Sequence, residues 1–193
     1  MRPLVSTSPL AAILFWASLA VWIFAGRRGR RAPREVRRDQ GTVVLIVCSV
    51  GLAIGLGLAA AEFVPALAIP ISPWPLFVAG LSLGWAGIGL ALWATYTLGR
   101  FYRPVVTIHE DHEVVTTGPY RYVRHPIYAG AMVLMVGVGL ALGNWLSLIL
   151  CALLPLSAYV ARIRVEERAL EEALGDRYRQ YEQGKARLVP GIW

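Results

Sequence analysis

Charge is what this chain has least of. Of its 193 residues, only 16% are Asp, Glu, Lys or Arg, and the acidic ones number 12. Soluble domains carry about a quarter of their residues as charge, so a free-standing soluble globule is excluded. Cysteines number two and histidines three. Cys48 and Cys151 each lie inside an apolar run, without a Cys-x-x-Cys spacing, so no disulfide or redox role follows. They read as small buried hydrophobes. His109 and His112 stand three apart among Glu110, Asp111 and Glu113, but no third strong ligand is fixed beside them, and the group reads as a solvated turn rather than a metal site. No Gly-rich strand–helix fingerprint for a nucleotide occurs either.

What the chain has in quantity is apolar sequence: 56% of it is hydrophobic, with a mean hydropathy of +0.54. Four runs come close to or exceed the roughly 20 residues that a spanning helix needs: about 8–26, 41–61, 75–98 and 145–163. A fifth, about 126–143, is shorter but uncharged from Pro126 to Gly143. The fold class expected is an all-α membrane protein, a single domain over 1–193. Of 19 Lys and Arg, all but Arg2 fall in 27–38, 100–124 and 162–187. If the spans alternate, those three regions share one side, and the positive-inside rule makes that side cytoplasmic. The expected topology is five spans, N-terminus outside and C-terminus cytoplasmic. The first span is read as retained rather than cleaved, because its basic cluster follows it. The run Arg27-Arg28-Gly29-Arg30-Arg31 is then a topology and headgroup signal, not a nucleic-acid patch.

Finer signals fill in this frame. Gly51 and Gly55, at i and i+4, read as a close-packing face of the second span. Pro75 suits the first turn of the third. Trp74, Trp85 and Trp93 read as belt and packing aromatics. Arg100-Phe101-Tyr102-Arg103-Pro104 reads as an interfacial anchor, and the β-branched runs in 105–116 as a short extended excursion. Gly143-Asn144 marks a tight turn, which makes the last two spans an antiparallel pair. The last helix has no stop at the membrane edge. It is expected to run from about 145 to Leu174, ending at Gly175, with its last third beyond the bilayer.

The densest chemistry lies in Thr117-Gly-Pro-Tyr-Arg-Tyr-Val-Arg-His-Pro-Ile-Tyr-Ala-Gly130, which packs two Arg, three Tyr and a His against the start of the fourth span. A second ionisable group, Arg162, Arg164, Glu166 and Glu167, lies just past the fifth. The hairpin makes the two groups neighbours. Arg162 and Glu166 share one helical face, and Glu167 lies about 100° round it. Such groups can simply anchor helix ends at the headgroups, but ionisable side chains near a bilayer are functional candidates by default.

The segment Gly118-Pro-Tyr-Arg-Tyr-Val-Arg-His-Pro-Ile-Tyr128 resembles the signature of the isoprenylcysteine carboxyl methyltransferases and their phospholipid methyltransferase relatives. Arg162, Glu166, Glu167, Leu170, Gly175, Tyr178, Tyr181, Arg187 and Pro190 follow at that family's spacings. Leu174 departs from it, since a Phe before the Gly is commoner. The resemblance covers about 99–190 and leaves the first two spans unmatched. It implies an integral membrane enzyme that transfers a methyl group from S-adenosylmethionine, with site segments 99–128 and 162–193 on the cytoplasmic side. Thr117, Gly118, Pro119, Tyr120 and Val123 would wall the adenosine. His125, Pro126 and Tyr128 would contact the ribose or methionine part, and Glu167 would meet the cofactor's positive end. Arg162, Glu166 and Arg124 would act on the acceptor. The implied acceptor is the carboxylate of an isoprenylcysteine or another lipid-linked acid entering from the bilayer, with no obligate protein partner and no nucleic acid. The home is a multi-pass, prokaryotic-type inner membrane. Alternatives are N-methylation of phosphatidylethanolamine, an NADPH-dependent sterol or enone reductase sharing an Arg-His-Pro-x-Tyr element, and a non-enzymatic scaffold.

Overall fold

A computed structural model describes residues 2–25, 41–99 and 114–193, and among these every regular element is helical. The basic loop, the interfacial anchor and the His109–Glu113 turn lie outside the described residues. The helices are α1 (Leu4–Thr7), α2 (Pro9–Ala25), α3 (Thr42–Phe63), α4 (Pro73–Leu98), α5 (Pro126–Ala141), α6 (Trp145–Leu174) and α7 (Asp176–Glu182). Three of them, α3, α4 and α6, are long and apolar enough to cross a membrane, and α2 and α5 are shorter apolar helices. At 1.5 Å per residue α5 is about 24 Å long, short of a hydrocarbon core of about 30 Å. Large apolar side chains also cover the outer faces: Ile13, Phe24, Val44, Val47, Val78 and Leu153 are all exposed. Helices apolar all round are at rest only in an apolar surrounding.

Backbone-to-backbone approach organises the bundle. On α4, Gly80, Gly84 and Gly87 face Gly137, Leu134 and Gly130 of α5, in antiparallel order. A Cβ at Gly87 would lie 2.5 Å from the carbonyl oxygen of Gly130 and from the amide nitrogen of Leu134. Small residues recurring on one face let the two helices lie nearly in main-chain contact, which is how helices associate where no hydrophobic effect drives them together. The spacing of Gly51 and Gly55 does not serve that purpose: both face open space, and the packed glycine of α3 is Gly57, against Leu142, Ser147 and Cys151. Of α3's candidate faces, the one holding polar contacts to α6 won.

The α5–α6 hairpin forms as expected. Gly143 takes φ +69, and the Asn144 side chain caps α6 by accepting from the amides of Leu146 and Ser147. Asn144 is buried and donates to the carbonyl of Val64 at 2.9 Å, while Ile69 N donates to Gly143 O, so this turn also docks the α3–α4 linker. Pro73 opens α4 and Pro75 sits in its first turn. Trp85 is half-exposed and donates from Nε1 to the Ser18 hydroxyl at 3.1 Å, fastening α2 to α4. Helix α6 runs unbroken to Leu174 and stops at Gly175, whose φ is +54.

The glycine seam makes a direct prediction. Gly87→Ala should destabilise the folded protein by about 1–3 kcal/mol through overpacking. Gly89→Ala, where nothing lies within 4 Å, should not destabilise it and should raise its stability by up to about 1 kcal/mol. Thermal unfolding of the two variants in the same detergent measures the difference.

Candidate functional site

At the α5 N-terminus and the far end of α6, three segments converge: the lead-in 117–125, the α6 extension beyond Ile163, and the tail after α7. Gly118 takes φ +56, and a Cβ there would meet the Thr97 hydroxyl at 2.7 Å, so the lead-in turns tightly against the end of α4. A short 3₁₀ turn, Gly118–Arg121, follows and buries Pro119 and Tyr120. The chain then extends. Arg124 N donates to Ala186 O and His125 N to Arg187 O, both at 2.9 Å, and Val123 bridges Ala186 in parallel. Pro126 occupies the first turn of α5, where its missing N–H costs nothing. The tail is held by side chains too. Tyr181 donates its hydroxyl to Tyr120 O at 3.0 Å, and the Lys185 ammonium sits 3.9 Å from the centre of the Tyr181 ring.

Glu167 is the hub. Its Oε1 lies 3.1 Å from His125 Nε2 and 3.2 Å from Arg124 Nη1, and its Oε2 accepts from Arg187 Nε at 2.8 Å. The Glu167 side chain is 6% exposed and that of Arg124 8%. Burial opposes ionisation of Glu167, but hydrogen bonds from His125 and Arg187, and the charge of Arg124, outweigh it and hold the carboxyl below its ordinary value. An ionised carboxylate only accepts, so His125 carries its proton on Nε2. Arg124 Nη1 also reaches Glu182 Oε2 at 2.7 Å. Its Nε is buried with no partner among the described residues. Nearby, burial pushes the Tyr181 hydroxyl up to about 12, raises that of Tyr178 further, and lowers the Lys185 ammonium.

A second network lies alongside. Arg162, 2% exposed, donates from Nε to the Tyr128 hydroxyl at 3.2 Å and from Nη1 to Thr42 Oγ1 at 2.9 Å. Tyr128 in turn donates to Glu166 Oε2 at 2.7 Å. The direct Arg162–Glu166 separation is longer, at 3.9 Å. An aromatic stack joins the networks: His125 and Tyr128 rings stand 5.7 Å apart, and Tyr128 and Tyr159 rings 5.3 Å.

The residues singled out from sequence therefore divide. His125, Tyr128, Arg162, Glu166 and Glu167 meet through these contacts. Val123, Pro119 and Tyr120 are buried beside them as backbone wall, Pro126 starts the helix, and Thr117 is exposed at the edge with Gly118 turned toward Thr97. Arg124 contacts Glu167 and Glu182. Sequence reasoning left Arg187, Tyr181, Glu182 and Thr42 outside the site. Arg187 and Tyr181 were visible as members of the C-terminal pattern, whereas nothing in the sequence marked Thr42.

A helical, lipid-suited bundle that gathers paired carboxylates, arginines and stacked aromatics at one helix end defines an intramembrane class of protein with its polar site at the bundle edge. The sequence model described as phospholipid methyltransferase matches residues 76–177, more than half of the chain, and the chain belongs to that family. It is 40% identical over 84 residues to a protein-S-isoprenylcysteine O-methyltransferase of Schizosaccharomyces pombe, covering 44% of this chain and 36% of that one. It is 33% identical over 112 residues to a probable protein-S-isoprenylcysteine O-methyltransferase of Oryza sativa, covering 57% of this chain and 59% of the relative. Against a methanethiol S-methyltransferase of a Pseudomonas species it is 26% identical, over 95% of this chain and 75% of the other. The chain thus spans about a third to three fifths of the length of the isoprenylcysteine relatives described. Its fold is that of a solved eukaryotic intramembrane Ras methyltransferase, isoprenylcysteine carboxyl methyltransferase, with a TM-score of 0.70 and 24% identity over 98% of this chain and 70% of that one.

The Glu167 hub sets a pH dependence. Its carboxyl is lowered on folding, so its contribution to stability is present above the unfolded value near 4.5 and is lost as pH falls through the folded one. Glu167→Gln should cost about 3 kcal/mol at neutral pH by leaving Arg124 and Arg187 under-paired. It should also flatten the acid limb of the stability curve, and free the tail for tryptic cleavage at Arg187, read by mass spectrometry.

Proposed function

We propose that this protein is an integral membrane methyltransferase that uses S-adenosylmethionine and methylates the carboxylate of an isoprenylcysteine-like or other lipid-linked acid. One observation carries the reading. The two segments that hold the family's motifs, 117–128 and 162–187, converge in one buried network through Glu167. The named relatives and the fold support it.

The donor set suits such a cofactor. Arg124 Nε is a buried donor still wanting an acceptor among the described residues, which a carboxylate or a base nitrogen would satisfy. Glu166 is a carboxylate with 30% of its side chain exposed, and Glu167 is an ionised carboxylate where the two segments meet. Thr117, Gly118, Pro119, Tyr120 and Val123 would wall the adenosine, His125, Pro126 and Tyr128 the ribose or methionine part, and Glu167 would serve the positive end, with Arg124 held beside it. When bound, S-adenosylmethionine supplies an electrophilic methyl group on a sulfonium, so the chain's own task is position and electrostatics. Arg162 would orient an acceptor carboxylate, which is already a nucleophile at neutral pH and needs no base. An amine acceptor would need one, and the two candidates, Glu166 and His125, are already engaged by Tyr128 and Glu167. That favours the acid over the amine lipid. Five spans, with the N-terminus outside and the site facing the cytoplasm of a prokaryotic-type inner membrane, complete the reading. They rest on the charge asymmetry and on counting the shorter apolar helices α2 and α5 as spans beside the three longer ones.

A second reading has its own support. The relative matched over nearly the whole chain is named for methanethiol, so a small thiol is the rival acceptor.

Membranes containing the protein should transfer label from methyl-labelled cofactor to N-acetyl-S-farnesylcysteine as a base-labile ester. Label in a volatile thioether would favour the thiol, and label in a base-stable N-methyl lipid the amine. No label in any of them, or calorimetric binding of NADPH without S-adenosylhomocysteine, contradicts methyl transfer altogether. His125→Ala should weaken S-adenosylhomocysteine binding at least tenfold, by roughly 1.4 kcal/mol or more, while the variant still inserts and folds.

A further inference from the structure

Side-chain polar contacts tie α3 to α6 along their length. Asn144 donates to Val64 O just past α3 at 2.9 Å, Ser147 to Gly57 O at 2.6 Å, Cys151 to Ala53 O at 3.6 Å and Arg162 to Thr42 Oγ1 at 2.9 Å. The first three end on backbone carbonyls, which any residue at those α3 positions would offer. The fourth needs an oxygen on the side chain of residue 42. Both of its ends are buried, Arg162 at 2% and Thr42 at 6% exposure.

Thr42 is the first residue of α3, fixed there by Gly41 in the left-handed region at φ +76. The N-terminus of a 22-residue helix repels a cation, and a carboxylate, Glu166, is on hand as a stronger partner. Arg162 Nη1 nonetheless reaches the neutral hydroxyl at 2.9 Å, while Nε donates to the Tyr128 hydroxyl, which bridges to Glu166 and leaves that ion pair at 3.9 Å. Removing the hydroxyl takes away one of the buried acceptors that fix the guanidinium's orientation, beside the Tyr128 hydroxyl. We propose that Thr42 is a positioning residue for Arg162: together with the Tyr128 hydroxyl it fixes the guanidinium so that its charge stays turned to the acceptor's anion. The role assigned to Arg162 rests on the reading above, but Thr42 lies outside the family-matched residues 76–177. By this route the α2–α3 half of the chain contributes to the site.

The test compares purified wild type, Thr42→Val, Thr42→Ser and Ser147→Ala, the last removing an α3–α6 hydrogen bond far from Arg162. Thr42→Val should raise KM for N-acetyl-S-farnesylcysteine about tenfold, with kcat within about threefold, as loss of ground-state binding predicts. Its calorimetric affinity for S-adenosylhomocysteine should stay unchanged. Thr42→Ser should remain within about twofold of wild type in every parameter, since it keeps the hydroxyl. Ser147→Ala should lower the melting temperature and leave KM alone. Thr42→Ala gives the same comparison should the valine variant fail to fold. An unchanged KM in Thr42→Val and Thr42→Ala, a Ser variant as impaired as Val, or a KM rise reproduced by Ser147→Ala would overturn the proposal. A wild type that binds no S-adenosylhomocysteine or labels no acid would instead overturn the functional reading beneath it.

Discussion

A carboxylate buried to 6% exposure must be met by donors or it will not stay charged, and Glu167 is met by three. Those donors come from different parts of the chain. His125 and Arg124 precede α5, and Arg187 follows α7. One ionised group therefore fixes how the α5 lead-in, the α6 extension and the tail sit against each other. The parallel bridge of Val123 with Ala186 and the backbone bonds to Ala186 and Arg187 place the tail in register. Only then do the Tyr120 carbonyl, Tyr181 and Lys185 close the outer side.

That hub stands on a frame made largely without charge. The glycine seam between α4 and α5 sets the position of the α5 N-terminus, and with it His125 and Tyr128. The α3–α6 contacts set the height and rotation of α6, and with it Arg162, Glu166 and Glu167. The Asn144 turn couples the two pairs at the opposite end. Any shift in the seam would reach the site as a shift of the His125–Tyr128–Tyr159 stack.

Much of this was legible in the sequence because membranes simplify the grammar. Apolar runs, Gly143-Asn144 and Gly175 gave the helices, the hairpin and the end of α6 to within two or three residues. The short α5 was visible as the one run below full span length. The meeting of the 117–130 and 162–167 clusters followed from the hairpin alone. What stayed illegible depended on rotation about helix axes. Gly51 and Gly55 had the right spacing and the wrong face, since α3's polar contacts to α6 turned Gly57 inward. Arg124 and Arg162 looked alike as arginines beside the membrane. Side-chain reach assigned one to Glu167 and Glu182 and the other to Tyr128 and Thr42. Thr42 carried no signal at all, because a threonine opening an apolar helix is ordinary until its partner is seen.

The central claim is that one ligand is held jointly by the lead-in and the tail-capped α6 end. Hydrogen exchange by mass spectrometry, with and without S-adenosylhomocysteine, tests it most directly. The account predicts slower exchange on ligand binding in peptides covering 117–128 and 162–188 together, with α2 and α3 interiors unchanged. Protection in one of the two segments alone, or in neither, would contradict it.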